Sequence, residues 1–243
     1  MKFSLITITY NAAAFVKKTL TSVASQSYQE FEHIVWDGGS TDGTVEIIKS
    51  FPHVKLYCGQ DSGISDAMNK GAELAQGEFV WHLHADDMLA SAHSLQYVST
   101  AIDQYPQSHW FYGKAHIINS KDEQICTTPL EHFSKKRLRR YNFFTHPSTV
   151  LSRTLFQKLG GFDLKLKYCM DYDLWLRAAQ KTSPILLPVV LACFRQHAGS
   201  TSCSGSLNLV NEVYKVRNRY LVHPFERYKS YRTWQKRKKS LII

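Results

Sequence analysis

Through its first hundred residues the chain alternates β-rich runs with helical stretches, and this alternation limits the fold more than any other feature. Residues 3–8, 31–36, 54–58 and 78–83 read as short strands. Between them, residues 13–25, 44–50 and 64–75 have helical composition, with Phe15, Leu20, Val23, Ile64, Ala67, Met68 and Leu74 as expected core positions. Strands alternating with helices build a mostly parallel sheet with helices on both faces and right-handed crossovers.

The pattern changes after residue 105. Residues 109–118 and 124–127 read as strands around a turn at 119–122, and 149–151 as another strand. A short helix over 154–159 ends at Gly160-Gly161, and a longer helix spans 171–180. Residues 185–194 are extended and apolar, with Pro184 and Pro188 favouring an edge position or an irregular start. Residues 207–221 form a last helix. The expected organisation is one α/β domain over residues 1–222, parallel in its first half (1–105) and mixed in its second (106–222), followed by a basic tail over 223–243.

Ligands bind open sheets of this kind outside the carboxyl ends of the strands. The polar turns fall there: Thr9-Tyr10-Asn11, Asp37, Gln60-Asp61 and Asp86-Asp87. Each has a bland reading beside a functional one. Asp86-Asp87 could cap a helix or hold Mg²⁺ or Mn²⁺ against a diphosphate, since these cations favour oxygen ligands. The turn from Asp37 to Thr44 lacks both a P-loop and a Gly-x-Gly-x-x-Gly pattern. Ser40, Thr41 or Asp42 could cap the helix that follows, whereas Asp37 could accept a hydrogen bond from a base N–H. Asp66, Asn69 and Lys70 share a helix face, either simply solvated or beside a nucleotide. Asp171 and Asp173 suit the first turn of a helix, and either could be a general base if it faces a pocket. Arg195 and His197 lie in a polar, hydroxyl-rich loop suited to contacting phosphate.

Composition narrows the function. Of the 243 residues, 44% are hydrophobic and 21% charged, as in an ordinary globular protein. The amino terminus reads as a strand rather than a signal peptide, and no apolar run reaches the roughly 18 residues of a membrane span. The five cysteines (Cys58, Cys126, Cys169, Cys193, Cys203) are scattered, which points to reduced thiols and a cytoplasmic setting rather than a zinc site or disulfide framework. A formal charge of +10 favours an anionic partner. Basic residues cluster at Lys135-Lys-Arg137 with Arg139-Arg140, and again over 227–239, where seven occur without an acidic one. Tyr228, Tyr231 and Trp234 lie among the latter, a combination suited to an anionic inner-leaflet surface.

Taken in order, Ile6-Thr-Ile-Thr-Tyr-Asn11, Trp36-Asp-Gly-Gly-Ser-Thr-Asp-Gly-Thr44, Ser62-Gly-Ile-Ser-Asp-Ala-Met-Asn-Lys-Gly71, Ala85-Asp-Asp-Met-Leu89, Gly160-Gly-Phe-Asp163, Asp171-Tyr-Asp-Leu-Trp-Leu-Arg177 and Phe194-Arg-Gln-His197 resemble the inverting glycosyltransferases of family 2. The resemblance covers roughly residues 3–202 and is strongest for the bacterial branch that builds cell-surface polysaccharide and lipopolysaccharide. It implies a GT-A fold and transfer of a sugar from a nucleoside-diphosphate donor, UDP-linked, to a hydroxyl of a glycan or lipid-linked acceptor. By the same resemblance Thr9, Tyr10 and Asp37 border the base, and Asp66 and Asn69 line the nucleotide pocket. Asp86 contacts the ribose or the metal shell, and Asp87 binds Mn²⁺ or Mg²⁺. Asp171 is the catalytic base, and Arg195 and His197 close over the diphosphate. His84 departs from the Asp or Asn that many members carry two positions before the acidic pair, and Met170 from the Glu that many carry before the catalytic Asp. A sugar nucleotidyltransferase is a poorer match, because Asn11-Ala-Ala-Ala-Phe15 is not its glycine-rich basic loop. A non-catalytic anion- or membrane-binding protein would explain the basic clusters but not the ordered acidic turns, and nucleic acid is not expected as a partner.

Overall fold

The computed structural model describes residues 1–197, 199–200, 207–221 and 223–240. Its first half runs β1 (Phe3–Thr9), α1 (Val16–Ala24), β2 (Phe31–Asp37), α2 (Thr44–Lys49), β3 (Val54–Cys58), α3 (Ile64–Glu73), β4 (Phe79–His82), β5 (Met88–Leu89) and α4 (Ser94–Gln104). The second half continues with β6 (Trp110–Ile118), β7 (Gln124–Thr127), α5 (Lys135–Leu138), a 3-10 turn (His146–Ser148), β8 (Thr149–Ser152) and α6 (Arg153–Lys158). It ends with α7 (Met170–Lys181), β9 (Ile185–Arg195), α8 (Leu207–Tyr220) and α9 (Pro224–Ser240).

All the described strands join one sheet in the order β3-β2-β1-β4-β8-β6-β9-β5, with β7 hairpinned onto β6. The first four strands pair in parallel. Antiparallel pairs of β4 with β8 and of β8 with β6 then carry the sheet into its mixed half. Register levels the carboxyl ends: Thr9 lies opposite Asp37, and Asp37 opposite Cys58. The polar turns therefore open on one rim. Near Pro188, β9 slips register against β6, where Tyr112 faces Leu186 but Ala115 faces Ala192. Proline has no N–H for the ladder, and the short β5 covers only Ala192 and Cys193 on the other side.

The elements form where apolar period and cap agree. Helix α1 buries Val16, Thr19, Leu20 and Val23, the i, i+3, i+4, i+7 stripe of an amphipathic helix. Phe15, expected in the core, instead stops just short of this helix and half-exposes its ring at the rim. Strands β1, β2 and β4 are almost wholly buried, with Leu5, Ile34 and Trp81 at 0% exposure, as two-sided cover requires. Cys58, Cys126, Cys169 and Cys193 are free thiols; Cys203 and the terminal Leu241-Ile-Ile243 lie outside the described residues. Among the described residues no helix is long and apolar enough to cross a membrane.

Candidate functional site

Two adjoining cavities lie on the carboxyl rim. The larger, about 840 Å³, is bordered by the Thr9–Phe15 loop, Gly38, Asp61, Asp86 and His197. The smaller, about 110 Å³, is lined by Asp86, Asp87, His146, Lys167 and Asp171. Ile64, His84 and Asp86 line both, so they mark the junction.

The acidic pair sits in a turn that other elements hold. Thr19 Oγ1 on α1 lies 2.8 Å from Ala85 O and 2.6 Å from Asp87 O. Asp87 is 1% exposed; its Oδ1 accepts from the Arg195 backbone N–H at 3.0 Å, and its buried Oδ2 has no partner among the described residues. Burial, then the neighbouring Asp86 charge, pushes the Asp87 carboxyl well above the usual range, against the opposing pull of Arg195. An orphaned carboxylate oxygen beside a second carboxylate fits a hard divalent cation. No group of three or more His, Cys, Asp or Glu able to hold a metal occurs among the described residues. A cation here would therefore share its shell with substrate oxygens, as Mg²⁺ commonly does.

Asp86 Oδ2 meets His197 Nε2 at 3.0 Å, and the His197 ring lies 4.8 Å from Phe15. Arg195 lines the smaller cavity, but its guanidinium is taken up by the protein itself. Its side chain is fully buried, and its guanidinium bonds Asp122 Oδ1 (2.5 Å), Asn119 O (2.9 Å) and Asp86 O (2.8 Å). Asp122, at the β6–β7 turn, also pairs with Lys18 on α1. Arg195 thus braces the acidic turn, and His197, bonded to Asp86, faces the larger cavity.

At the other end of that cavity, Thr9 is 4% exposed and Tyr10 70%. Asp37 Oδ1 accepts from the N–H groups of Gly39 and Ser40, and its Oδ2 from the hydroxyls of Thr9 and Ser40. Burial raises this carboxyl, but the bonds from Ser40, Thr9 and Gly39 outweigh it and hold the group below its ordinary value. Asp37 therefore shapes the turn. Asp61 stands nearer the cavity: Trp36 Nε1 and Gly63 N–H donate to it, and a Cβ on Gly38 would meet its Oδ2 at 2.7 Å. Asp61 was visible in the sequence only as one polar turn among several.

Asp66 and Asn69 do not line either cavity. Asp66 accepts the Ser62 N–H at 2.8 Å and pairs with Lys70 at 3.0 Å, closing the start of α3. Asn69 clamps the double-glycine turn, donating to Phe162 O and accepting from Phe162 N–H. Gly161, at φ +69°, packs so tightly on it that a Cβ would meet Asn69 Oδ1 at 2.5 Å.

The first turn of α7 separates its two acids. Asp173 is buried in ion pairs with Arg177 (2.7 Å) and Arg219 (3.1 Å). Asp171 lines the smaller cavity, with Oδ1 accepting from Tyr172 N–H at 2.6 Å and Oδ2 from Asn142 Nδ2 at 3.4 Å. Burial pushes its carboxyl up to about 6, against the bonds from Tyr172 and Asn142. His146 Nδ1 is 4.0 Å from Asp171 Oδ2, within ion-pair range only if charged. Burial, with His84 and His82 nearby, holds His146 well below its ordinary value, so it faces Asp171 as a neutral ring. The loop entering α7 is fixed from α8: Glu212 accepts the N–H groups of Lys167, Tyr168 and Cys169 at 2.7, 2.6 and 3.0 Å. Asn142, His146 and Glu212 carry no motif, and only the sheet's closure brings them to this site.

A parallel half with an acidic turn on its rim, completed by a carboxyl group from the mixed half, is the arrangement of a GT-A fold. The fold agrees with solved structures. Residues 1–349 of S. aureus TarS, in complex with UDP-GlcNAc, superpose with a TM-score of 0.76 at 19% identity, over 99% of this chain and 73% of that one. The mannosyltransferase PcManGT from Pyrobaculum calidifontis, in complex with GDP-Man and Mn²⁺, gives 0.68 at 20% identity, over 92% and 66%. Residues 4–160 match the family model described as glycosyl transferase family 2, and the chain belongs to that family. A PGL/p-HBAD biosynthesis glycosyltransferase of Mycobacterium bovis is 30% identical over 204 residues, 81% of this chain and 78% of the relative.

Proposed function

We propose that the protein is an inverting, metal-assisted glycosyltransferase. It takes a sugar from a nucleoside-diphosphate donor, UDP-linked, and places it on a hydroxyl of a glycan or lipid-linked acceptor in cell-surface polysaccharide assembly on the cytoplasmic side. The observation that carries this reading is the shared junction of the cavities: Asp86 and His84 border both, and Asp171 lines the smaller one. The donor complexes of the two solved neighbours, UDP-GlcNAc and GDP-Man, support the donor class.

The nucleotide lies in the larger cavity, its base by Thr9, Tyr10 and Asp61, with Asp37, Asp66 and Asn69 shaping the turns around it. The diphosphate lies at Asp86 and His197. Asp87, with its spare oxygen, would hold Mn²⁺ or Mg²⁺, and the ion would supply charge stabilisation to the departing diphosphate. Asp171 takes the acceptor hydroxyl proton as that oxygen bonds the anomeric carbon and the bond to the diphosphate breaks on the opposite face. A carboxyl pushed towards neutrality is a stronger base than an ordinary aspartate and is still ionised at pH 7.

Screening nucleotide sugars for thermal stabilisation with Mn²⁺, then resolving the product anomer by NMR, tests the proposal. Stabilisation by one donor and a product of inverted configuration are expected. A retained configuration, or release of pyrophosphate in place of a nucleoside diphosphate, would overturn it.

A further inference from the structure

The outer face of α9 has no part in either cavity, and its charge pattern sets it apart. Trp234 anchors this helix on α8, with Nε1 donating to Asn211 Oδ1 at 2.7 Å and the ring stacked 4.9 Å from Tyr214. Ser230, 2% exposed, lies on the same side. At about 100° per residue the opposite side carries Phe225, Lys229, Arg232 and Lys236, an i, i+4, i+7, i+11 stripe. All four are exposed, and Lys229 Nζ lies 4.5 Å over the Phe225 ring. Tyr228 (56% exposed) borders the stripe, Tyr231 (42%) stands between it and Trp234, and Glu226 is the helix's single acid.

The aromatics recur every third residue, so they wind around the helix instead of forming an apolar face. That pattern cannot insert as an amphipathic helix does. It can lie on a surface, with lysines and arginines towards anionic headgroups and tyrosines at the interfacial depth they favour.

The helix is also mechanically close to the site. Asn211, which bonds Trp234, is the chain neighbour of Glu212, which holds the backbone of Lys167, Tyr168 and Cys169. Lys167 and Tyr168 line the Asp171 cavity. One turn of α8 thus touches the basic helix and fixes the mouth of the acceptor end.

We infer that the outer face of α9 docks the protein on an anionic lipid surface and so presents the Asp171 cavity to a membrane-borne acceptor. The acceptor part rests on the glycosyltransferase reading above; the docking does not. No apolar face is needed, so attachment is electrostatic and reversible by salt.

Co-sedimentation of the full chain with phosphatidylcholine vesicles, with and without about 30% phosphatidylglycerol, tests it. Binding is expected only to the anionic vesicles at 0.1 M salt and is lost at about 0.5 M. Replacing Lys229, Arg232 and Lys236 together by Gln should weaken partitioning roughly 100-fold, at about tenfold for each 1.4 kcal/mol and about 1 kcal/mol per basic residue. Lys229→Arg with Lys236→Arg should preserve binding. Thermal stabilisation by the nucleotide donor reports folding and the larger cavity, and should be unchanged in the triple Gln variant. Equal binding to neutral vesicles, unchanged partitioning of the triple Gln variant, or displacement from vesicles by equimolar duplex RNA at 0.15 M salt would each overturn the inference. Loss of nucleotide stabilisation by the native chain would instead count against the donor reading alone.

Discussion

Replacing Asp171 by Asn separates activity from stability in a way that tests the base assignment. The carboxyl is buried and pushed up to about 6 from an unfolded value near 3.8. Ionised at pH 7, it makes folding less favourable by at most about 3 kcal/mol, at about 1.4 kcal/mol per pK unit. The sign follows from proton binding: between the two values the folded state holds the proton more often, so stability falls as pH rises through this window. The penalty is complete above pH about 6 and absent well below 3.8. Asn keeps the acceptor for Tyr172 N–H but carries no charge. Urea denaturation at pH 7 should therefore show a variant at least as stable as the native chain, with the difference vanishing towards pH 4. Transfer should fall about 10²–10⁴-fold, the usual worth of a positioned general base. In the native enzyme, kcat/KM should drop about tenfold for each unit below pH 6, because the free-enzyme base sets that limb. A variant within tenfold of native activity, or an acid limb centred near pH 4, would refute the assignment.

Asp87→Ala should abolish the gain in nucleotide affinity on adding Mn²⁺, read by calorimetry, because it removes the spare carboxylate oxygen at the rim. Arg195→Gln should destabilise the chain by about 3 kcal/mol in urea denaturation, since one buried fork joins Asp122, Asn119 and Asp86. Lys should not rescue it, lacking the planar fork.

The first half was legible because each signal was local. A β-branched run followed by a polar turn and an amphipathic stripe needs no distant partner, and β3 spans the residues the sequence assigned to it. Helix α4 is hard to read from the sequence because polar residues interrupt its buried Leu95, Val98, Ala101 and Ile102. Helix α9 is hard to read from the sequence because a basic stretch without an apolar stripe signals mainly its composition. At the site, residue types were readable but their division of labour was not. Asp37, Asp66 and Asn69 have the chemistry to meet a ligand, yet N–H groups and hydroxyls hold Asp37, Ser62 N–H and Lys70 hold Asp66, and the Phe162 backbone holds Asn69. Asp171 and Asp173 look equivalent in sequence. Arg177 and Arg219 claim Asp173 and leave Asp171 to the cavity.

Long-range contacts also argue against treating the two halves as separable. The family match ends at residue 160, before Asp171, Arg195 and His197. The backbone of Arg195 donates to Asp87, and its guanidinium reaches Asp86 O across 109 residues. Ser65 on α3 donates to Leu166 O, Asn69 clamps Phe162, and β4 pairs with β8. A fragment ending near residue 105 would keep the parallel strands but lose the groups that orient its acidic turn. It would also expose the buried Val80 and Trp81 of β4, together with the unpaired edge of that strand. The rim that carries the acidic turn therefore depends on the same late segments that bring Asp171, which couples the geometry of the two cavities within one folding unit.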